Sequence, residues 1–242
     1  MRDYKLEFEK RVKFIKDILK ESGADGIIFG NSGGKDSALV GILCKAACDN
    51  TLGVIMPCGI KRNFTEDFDD GIVLANQYGI ETRVVDISSI KDAVIQKLFN
   101  ITKLNKNALI NMAPRIRMIT LYSIAASENR LVAGTGNASE YFVGYFTKWG
   151  DGAHDFNPIA DLTASEVFEF LEYLKAPENI IKKAPSAALF DGQTDEHEMG
   201  VTYKELDAYI RGEEISEISK EKIDKLHNTS NHKRTGIKRY GE

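Results

Sequence analysis

The chain contains 242 residues, of which 43% are apolar and 28% are charged, with 20 glycines and 5 prolines. This composition excludes a disordered, collagen-like or disulfide-scaffold protein, and the length predicts one α/β domain over residues 1–242. The net charge of −4 argues against general nucleic-acid binding, which usually requires a basic face, so no nucleic-acid partner is expected.

Short apolar segments alternate with amphipathic ones along the chain. In chain order they predict helix Tyr4–Glu21, strand Gly26–Gly30, helix Asp36–Cys48, strand Leu52–Met56, helix Phe64–Tyr78, strand Arg83–Ile87, a long helix within Leu104–Ser127, strand Leu131–Gly134 and helix Ala164–Lys175. Thr163 and Glu166 predict a capping box at the start of the last helix. Such alternation is typical of a Rossmann-like three-layer α/β sandwich with a central parallel sheet. Because ligands bind beyond the carboxyl ends of such strands, we expect the site in the loops that follow them.

The sequence predicts neither a membrane segment nor an oxidising compartment. No apolar run reaches the ~18 residues of a membrane span, and the N-terminus lacks the apolar region of a secretory signal. Cys44 and Cys48 lie one helical turn apart without metal-spaced histidines, and Cys58 makes the count odd. We therefore expect reduced thiols, a cytoplasmic protein and no membrane partner.

The charge is unevenly distributed. Residues 220–242, the basic C-terminal tail, contain seven Lys or Arg and three Asp or Glu, a local charge of +4 that leaves −8 for the preceding residues. Such a tail is commonly a solvated surface. The alternative is a segment that contacts a phosphate-bearing ligand.

A glycine-rich loop, GNSGGKDS at residues 30–37, joins the first predicted strand to the next helix. Its adjacent glycines allow close backbone approach, its serines add hydroxyl groups, and the helix N-terminus attracts anions. Asp36 would be repelled by phosphates unless Mg²⁺ lay between them. The loop is not a Walker A motif, because Lys35 is followed by an aspartate. The pattern SGGxDS resembles the ATP pyrophosphatases, which cleave ATP to AMP and pyrophosphate, and a tight turn of small residues is the structural alternative.

A second polar loop, residues 134–158, follows the fourth predicted strand. It begins with GTGNAS, which partly matches a dinucleotide-binding fingerprint. The sixth position is Ser139 instead of glycine or alanine, and Asp155 does not end a strand, so this interpretation is disfavoured. The loop offers Glu140 as an oxygen ligand for Mg²⁺, Lys148 as a partner for phosphate or carboxylate, and Asp155 as an acceptor for ribose hydroxyls. Each could also be an ordinary surface charge.

Five motifs together resemble one family. They are SGGKDS at 32–37, GTGNASE at 134–140, FTKWGDG at 146–152, DFNP at 155–158 and KKAPSAAL at 182–189. The sequence resembles the ammonia-dependent NAD⁺ synthetases, within the N-type ATP pyrophosphatase superfamily, over nearly its whole length. The resemblance implies an adenine nucleotide alpha hydrolase-like fold. It also implies a homodimer, with the long helix within Leu104–Ser127 as the candidate interface.

The resemblance implies a ligase that forms a C–N bond, with ATP as co-substrate and Mg²⁺ as cofactor. The carboxylate of deamido-NAD⁺ would attack ATP to form an acyl-adenylate and pyrophosphate, and ammonia would displace AMP to give NAD⁺. Adenylation creates a good leaving group, but the site must then exclude water. Cations are needed because the two reacting groups are anions.

Residue roles follow from the same resemblance. The expected ATP-binding residues are Gly30, Asn31, Ser32, Gly33, Gly34, Lys35, Asp36, Ser37, Thr135 and Ser186. The residues expected to bind deamido-NAD⁺ are Arg115, Lys148, Asp155, His232 and Lys233. Asp36 and Glu140 are the expected Mg²⁺ ligands, and with Lys148 they are the expected catalytic residues. The polar segment near 187–201 predicts a mobile lid.

Two alternatives stay open. One is another ATP pyrophosphatase, which amidates or thiolates a nucleotide or a tRNA, although such enzymes usually carry additional domains. The other is a nucleotide-binding regulatory protein, which would need no Mg²⁺-held leaving group. A chain of 242 residues leaves no room for an attached glutaminase, so free ammonia is the expected nitrogen donor unless a separate partner delivers it.

Overall fold

A parallel sheet forms the centre of the computed structural model, which describes residues 2–183, 186 and 194–241. In this part of the chain four strands lie in the order β3-β2-β1-β4. They are β1 Gly26–Gly30, β2 Thr51–Ile55, β3 Glu81–Val84 and β4 Arg130–Val132. Ile27 of β1 pairs with Thr51 on one side and with Leu131 on the other. All neighbouring strands run in the same direction, as predicted.

Helices connect the strands and continue beyond the last one. They are α1 Tyr4–Ser22, α2 Lys35–Ala47, α3 Glu66–Tyr78, α4 Ser88–Leu98, α5 Lys106–Ile110, α6 Met112–Glu128, α7 Ala138–Val143, α8 Ala164–Tyr173, α9 Glu178–Ile181, α10 Asp195–Met199, α11 Tyr203–Ile210, α12 Glu217–Thr229 and α13 Asn231–Arg234. None of the described helices is both long and apolar enough to cross a membrane.

The helices cover both faces of the sheet. Successive strand residues point to opposite faces, so Ile27 and Phe29 pack against α1, α2, α3 and α8, whereas Ile28 packs against α6. A third buried cluster joins α7, α10, α11 and α12 at one end, with Ile223 of α12 fully buried in it. The predicted three-layer α/β class is confirmed, and one domain over 1–242 stays a prediction.

The structure differs from the expected helices and strands in several places. The long helix predicted within Leu104–Ser127 is found as α6, but a separate short helix, α5, occupies the first part of that range. Pro114 lies in the first turn of α6, where its missing N–H is tolerated. The third strand begins at Glu81 and ends at Val84, although Val85 still donates to the Ile55 carbonyl at 2.9 Å. Helix α4, helix α7 and the helices from α9 to α13 were not predicted. At α8 the capping box of Thr163 and Glu166 is confirmed.

Candidate active site

The glycine loop, residues 30–37, lies at the carboxyl end of β1 and leads into α2. Gly33 adopts φ +69°, and a Cβ at this position would lie 2.2 Å from the Asp67 carbonyl oxygen. The hydroxyl oxygens of Ser32 and Ser37 lie 3.0 Å apart. The loop is therefore a tight turn that only glycine can make at position 33, and it presents the first N–H groups of α2 to a ligand.

Two carboxylates meet beside this loop. The Asn137 side chain donates to Asp36 Oδ1 at 3.0 Å, and the Asn137 backbone N–H donates to Glu140 Oε2 at 3.1 Å. Glu140 and Asn137 form the capping box of α7, so the helix start fixes the position of the carboxylate. Burial raises the pKa of Glu140 well above its ordinary value, and the negative charge of Asp36 raises it further.

Lys35 is buried against the same two carboxylates. Its Nζ lies 2.5 Å from Asp36 Oδ2 and 5.3 Å from the centre of the Tyr203 ring. Burial disfavours the ammonium, but the Asp36 and Glu140 charges outweigh it and raise the pKa of Lys35. The side chain is therefore a buried cation at the predicted metal site.

The donor set fits a metal that arrives with phosphates. Within the described ranges, no three His, Cys, Asp or Glu side chains lie together as a complete metal site. Mg²⁺ is usually held by one or two carboxylates and by substrate phosphates. Asp36 and Glu140 supply the two carboxylates, and their mutual repulsion favours a cation between them and an anionic ligand.

A cavity of about 390 Å³ lies beyond the carboxyl ends of β1, β2 and β4. The expected site residues that line it are Gly30, Asn31, Ser32, Gly34, Lys35, Asp36, Ser37, Thr135, Glu140, Ser186 and Lys233. Gly33 does not line it, because this residue turns toward α3. Most of the expected ATP-binding residues therefore share one cavity.

Another wall of the cavity carries Arg117 and Asp151. Arg117 Nε donates to the Met56 carbonyl at 3.2 Å, and burial lowers the pKa of this guanidinium. Asp151 is exposed and accepts from the Thr147 N–H at 2.9 Å. Thr147 is buried and Arg117 is half-buried, so this part of the wall is less hydrated than an open surface, as chemistry that must exclude water requires.

The C-terminal segment closes one side of the cavity. Lys233, on α13, donates to the carbonyls of Gly144 and Phe146, both at 2.6 Å, and burial lowers the pKa of its ammonium. Lys148 donates to the His232 carbonyl at 2.6 Å. Residues 217–234 therefore form two helices that pack through Ile223 and Lys233, whereas the basic side chains of α12 are solvated.

A second depression adjoins α13. It is lined by Lys148, Trp149, His232 and residues 235–238. The Lys148 ammonium lies 5.4 Å from the centre of the Trp149 ring, and Trp149 adopts φ +62°, an uncommon value for a residue with a side chain. The backbone thus holds an exposed aromatic ring beside a cation.

Arg115 and Asp155 lie outside both concavities. Arg115 is exposed and donates to the Lys148 carbonyl at 3.3 Å. Asp155 accepts from the Val132 N–H at 2.7 Å and from the Tyr122 hydroxyl at 3.1 Å. Asp155 therefore holds the end of β4 in this structure, and its predicted contact with a ribose stays a prediction.

The matching family model, described as NAD synthase, covers residues 7–237. The chain belongs to the NAD synthase family. A relative from Carboxydothermus hydrogenoformans named NH(3)-dependent NAD(+) synthetase is 45% identical over 229 residues, 93% of each chain. The structure of an NMN synthetase from Francisella tularensis has a TM-score of 0.94 and 37% identity over 100% of both chains. An NH3-dependent NAD synthetase from Campylobacter jejuni has a TM-score of 0.82 and 32% identity over 98% of this chain and 99% of that one.

Membership of the NAD synthase family confirms the resemblance seen in the sequence, together with the predicted fold class and the prediction of an ATP-dependent ligase. The two loops that carry SGGKDS and GTGNASE meet at the Asn137 side chain, as their positions after β1 and β4 predict. Of the predicted lid, residues 187–193 lie outside the described residues, whereas α10 contributes Asp195 and Glu198 to the cavity wall.

Sequence reasoning missed an ionic network behind the glycine loop of this NAD synthase family member. Lys183 Nζ lies 2.7 Å from Asp67 Oδ1 and 2.5 Å from Asp70 Oδ2, and Arg62 also contacts Asp67 at 3.1 Å. Lys183 belongs to the motif KKAPSAAL, and this motif is the one feature of the sequence that could have drawn attention to the lysine. Its partners lie more than 100 residues away in the sequence, so only the fold identifies them.

Proposed function

We propose that the chain forms NAD⁺ from deamido-NAD⁺, ATP and ammonia, and releases AMP and pyrophosphate. The observation that carries the proposal is the meeting of the glycine loop with the Asp36–Glu140 pair in one cavity, in a chain 45% identical to an ammonia-dependent NAD⁺ synthetase. The loop suits the phosphates of ATP, and the carboxylates suit the cation that accompanies them.

The first step joins two anions, the substrate carboxylate and the α-phosphate of ATP. The N–H groups of the glycine loop and the N-terminus of α2 bind the phosphates and orient the pyrophosphate as the leaving group. Asp36 and Glu140 would hold Mg²⁺, which when bound neutralises phosphate charge and makes pyrophosphate a better leaving group. The Ser32 and Ser37 hydroxyls add neutral donors that do not repel the incoming carboxylate.

The second step requires that ammonia, and not water, reaches the acyl-adenylate. In the wall beside Arg117, Thr147 is buried, and α13 covers the edge of this wall through the Lys233 contacts with Gly144 and Phe146. Asp195 and Glu198 of α10, in the described part of the segment predicted as a lid, add to the cavity wall. A closed site of this kind lengthens the life of the intermediate.

The remote part of deamido-NAD⁺ is anionic and carries one aromatic base. We assign it to the second depression, where the Lys148 ammonium, the Trp149 ring and His232 lie together. A base can stack on an aromatic ring, and the lysine can approach a phosphate. Arg115 lies outside this depression, and its guanidinium donates to the carbonyl of Lys148, one of the lining residues.

One assay tests the proposal. The purified protein is mixed with MgATP, deamido-NAD⁺ and ammonium, and products are separated by chromatography. The proposal expects NAD⁺ and AMP in equal amounts, with no AMP formed when deamido-NAD⁺ is omitted. Formation of ADP, or of AMP without amide product, overturns it in favour of another nucleotide-using activity. Activity on a tRNA would support the remaining ATP pyrophosphatase alternative.

A mononucleotide acceptor is the second candidate. The NMN synthetase structure from Francisella tularensis has a TM-score of 0.94 with this chain, against 0.82 for the Campylobacter jejuni structure. Nicotinate mononucleotide carries the same reacting carboxylate but lacks the second nucleotide. A mononucleotide does not need the second depression, so Trp149→Ala would leave its kcat/KM unchanged, whereas it would lower kcat/KM for deamido-NAD⁺ about tenfold. Measuring kcat/KM of the wild-type protein and of Trp149→Ala with nicotinate mononucleotide and with deamido-NAD⁺ decides between the two acceptors.

We also propose a homodimer that uses the face formed by α4 and α6. No residue of α4 is buried, and Ile90, Val94 and Ile119 are exposed together with Phe99 and Ile101, both at least 75% exposed. Exposed apolar surface of this extent favours a second copy of the chain. Sedimentation equilibrium should give a dimer for the wild-type protein and a monomer for Ile119→Glu. A monomeric wild-type protein at micromolar concentration contradicts the proposal.

We place the reaction in the cytoplasm. Cys44, Cys48 and Cys58 are free thiols in the structure, and burial raises the pKa of Cys44 and of Cys58. Unpaired, unreactive thiols suit a reducing compartment.

A further inference from the structure

Lys35 is not a solvated lysine of a surface loop. It is only 5% exposed, and its ammonium lies 2.5 Å from Asp36 Oδ2. The rings of Tyr203 and Phe168 lie 5.3 Å and 5.7 Å from the same nitrogen. Helices α2, α8 and α11 therefore hold this cation from three sides at one end of the cavity.

The ammonium faces an acidic cluster. Asp36 and Glu140 both accept hydrogen bonds from Asn137, which keeps the two half-buried carboxylates near each other. The Asp195 carboxylate faces the same ammonium from α10 and accepts from the Tyr203 hydroxyl at 3.0 Å. Buried like charges repel strongly, so the ligand-free protein needs a cation here, and Lys35 supplies one.

We propose that Lys35 is an internal counter-ion that keeps a divalent metal ion out of the Asp36–Glu140 pair until ATP binds. The inference rests on the proposed function, in which these two carboxylates hold Mg²⁺. Lys35 cancels one unit of the negative charge that Asp36, Glu140 and Asp195 present together, so the site attracts a divalent ion alone more weakly than it would without the lysine. The phosphates of ATP reverse this balance, because they bring several negative charges to the same end of the cavity.

Lys35 also lines the cavity, so its ammonium can turn to the phosphates once a metal occupies the carboxylates. The lysine then contributes to ATP binding instead of opposing the metal. Metal and nucleotide would therefore bind with strong positive coupling, and that coupling would depend on one side chain. A lysine that only fills space between the aromatic rings would not link the two ligands.

The test measures metal binding without catalysis. Mn²⁺, whose free form is followed by electron paramagnetic resonance, is titrated into the full chain without nucleotide and then with a non-hydrolysable ATP analogue. Lys35→Gln should bind Mn²⁺ alone at least ~10-fold more tightly than wild type, because removing a positive charge a few ångströms away favours a second cation. With the analogue present, the advantage should disappear. Lys45→Gln, at the other end of α2 beside exposed Asp49, is the matched control and should behave as wild type.

Three outcomes separate the possibilities. Mn²⁺ affinity of Lys35→Gln within twofold of wild type overturns the counter-ion role, as does an equal gain in Lys45→Gln. A gain that persists in the double variant Lys35→Gln/Glu140→Gln shows binding elsewhere and overturns it too. Lys35→Met, which keeps an apolar stem over the Tyr203 ring, carries the same expectation if Lys35→Gln does not fold. Wild type that forms no NAD⁺ refutes the proposed function but leaves the Mn²⁺ measurement interpretable.

Discussion

Gly33→Ala tests whether the turn of the glycine loop is required for nucleotide binding. Gly33 has φ +69°, and its added Cβ would lie 2.2 Å from the Asp67 carbonyl oxygen and 3.1 Å from the Asp70 side chain. The Cβ and the oxygen would have to separate by about 0.8 Å to reach the 3.0 Å limit of observed contacts. Asp67 and Asp70 are both held by Lys183, so α3 cannot easily withdraw. The loop itself must therefore move.

Gly23→Ala is the matched control, because Gly23 has φ +68° but no atom within 4 Å of the added Cβ. The control carries only the backbone strain of the left-handed region, roughly 1–2 kcal/mol. Gly33→Ala carries the same strain plus a steric conflict, which costs typically ~1–3 kcal/mol when the surroundings cannot relax. We therefore expect Gly33→Ala to lower the free energy of unfolding by about 1–3 kcal/mol more than Gly23→Ala does.

The assay pairs urea unfolding with steady-state kinetics. Gly23→Ala should keep the wild-type KM for ATP, whereas Gly33→Ala should raise it at least ~10-fold, because a displaced loop no longer directs its N–H groups at the phosphates. If the loop relaxes freely, the stability loss falls to that of the control and the KM effect remains. Equal stability loss together with an unchanged KM for ATP would refute the reasoning.

Three further predictions concern charged groups of the cavity. Asp36→Asn should lower kcat about 100-fold or more while circular dichroism stays unchanged, since it removes a metal ligand and not a packing contact; wild-type rates would exclude that role. Glu140→Gln should inactivate the enzyme yet stabilise the ligand-free fold. Burial raises the pKa of Glu140, so ionisation costs stability as pH rises above its ordinary value of 4.5, and the gain in unfolding free energy should be larger at pH 8 than at pH 5. Lys233→Met, which breaks two 2.6 Å contacts to backbone carbonyls, should raise the KM for deamido-NAD⁺ more than it lowers kcat.

The parts of the site that the sequence predicts are those determined locally. The glycine loop needs only a strand, adjacent glycines and a helix start within one short segment, and the structure places all three together. Glu140 is placed by a capping box with Asn137, a pattern of four residues. Strand order then brings the two segments together, since β4 pairs directly with β1.

The parts that the sequence could not predict depend on distant pairs. Lys183 meets Asp67 across 116 positions of chain, and no periodicity connects them. The basic C-terminal tail also makes contacts that its local composition does not predict. Its charge suggests a solvated end, yet Ile223 is fully buried, because α12 has an apolar side that covers α7 and α11. A charge count averages over a helix and does not resolve its faces.

Buried charge alone does not identify the active site in this fold. Arg11 is also buried, and its guanidinium contacts Asp161 at 2.6 Å and the Pro158 carbonyl at 2.6 Å. The Nη1 and Nη2 atoms of Arg11 donate to protein acceptors, and they fix the DFNP segment against α1. The Lys35–Asp36–Glu140 group differs because it lines a cavity and keeps two carboxylates together. Replacing these three side chains with apolar ones of the same volume would make the fold more stable. A fold that retains such repulsion beside open space retains it for a ligand, which is why the charge balance around Lys35 is the property to measure first.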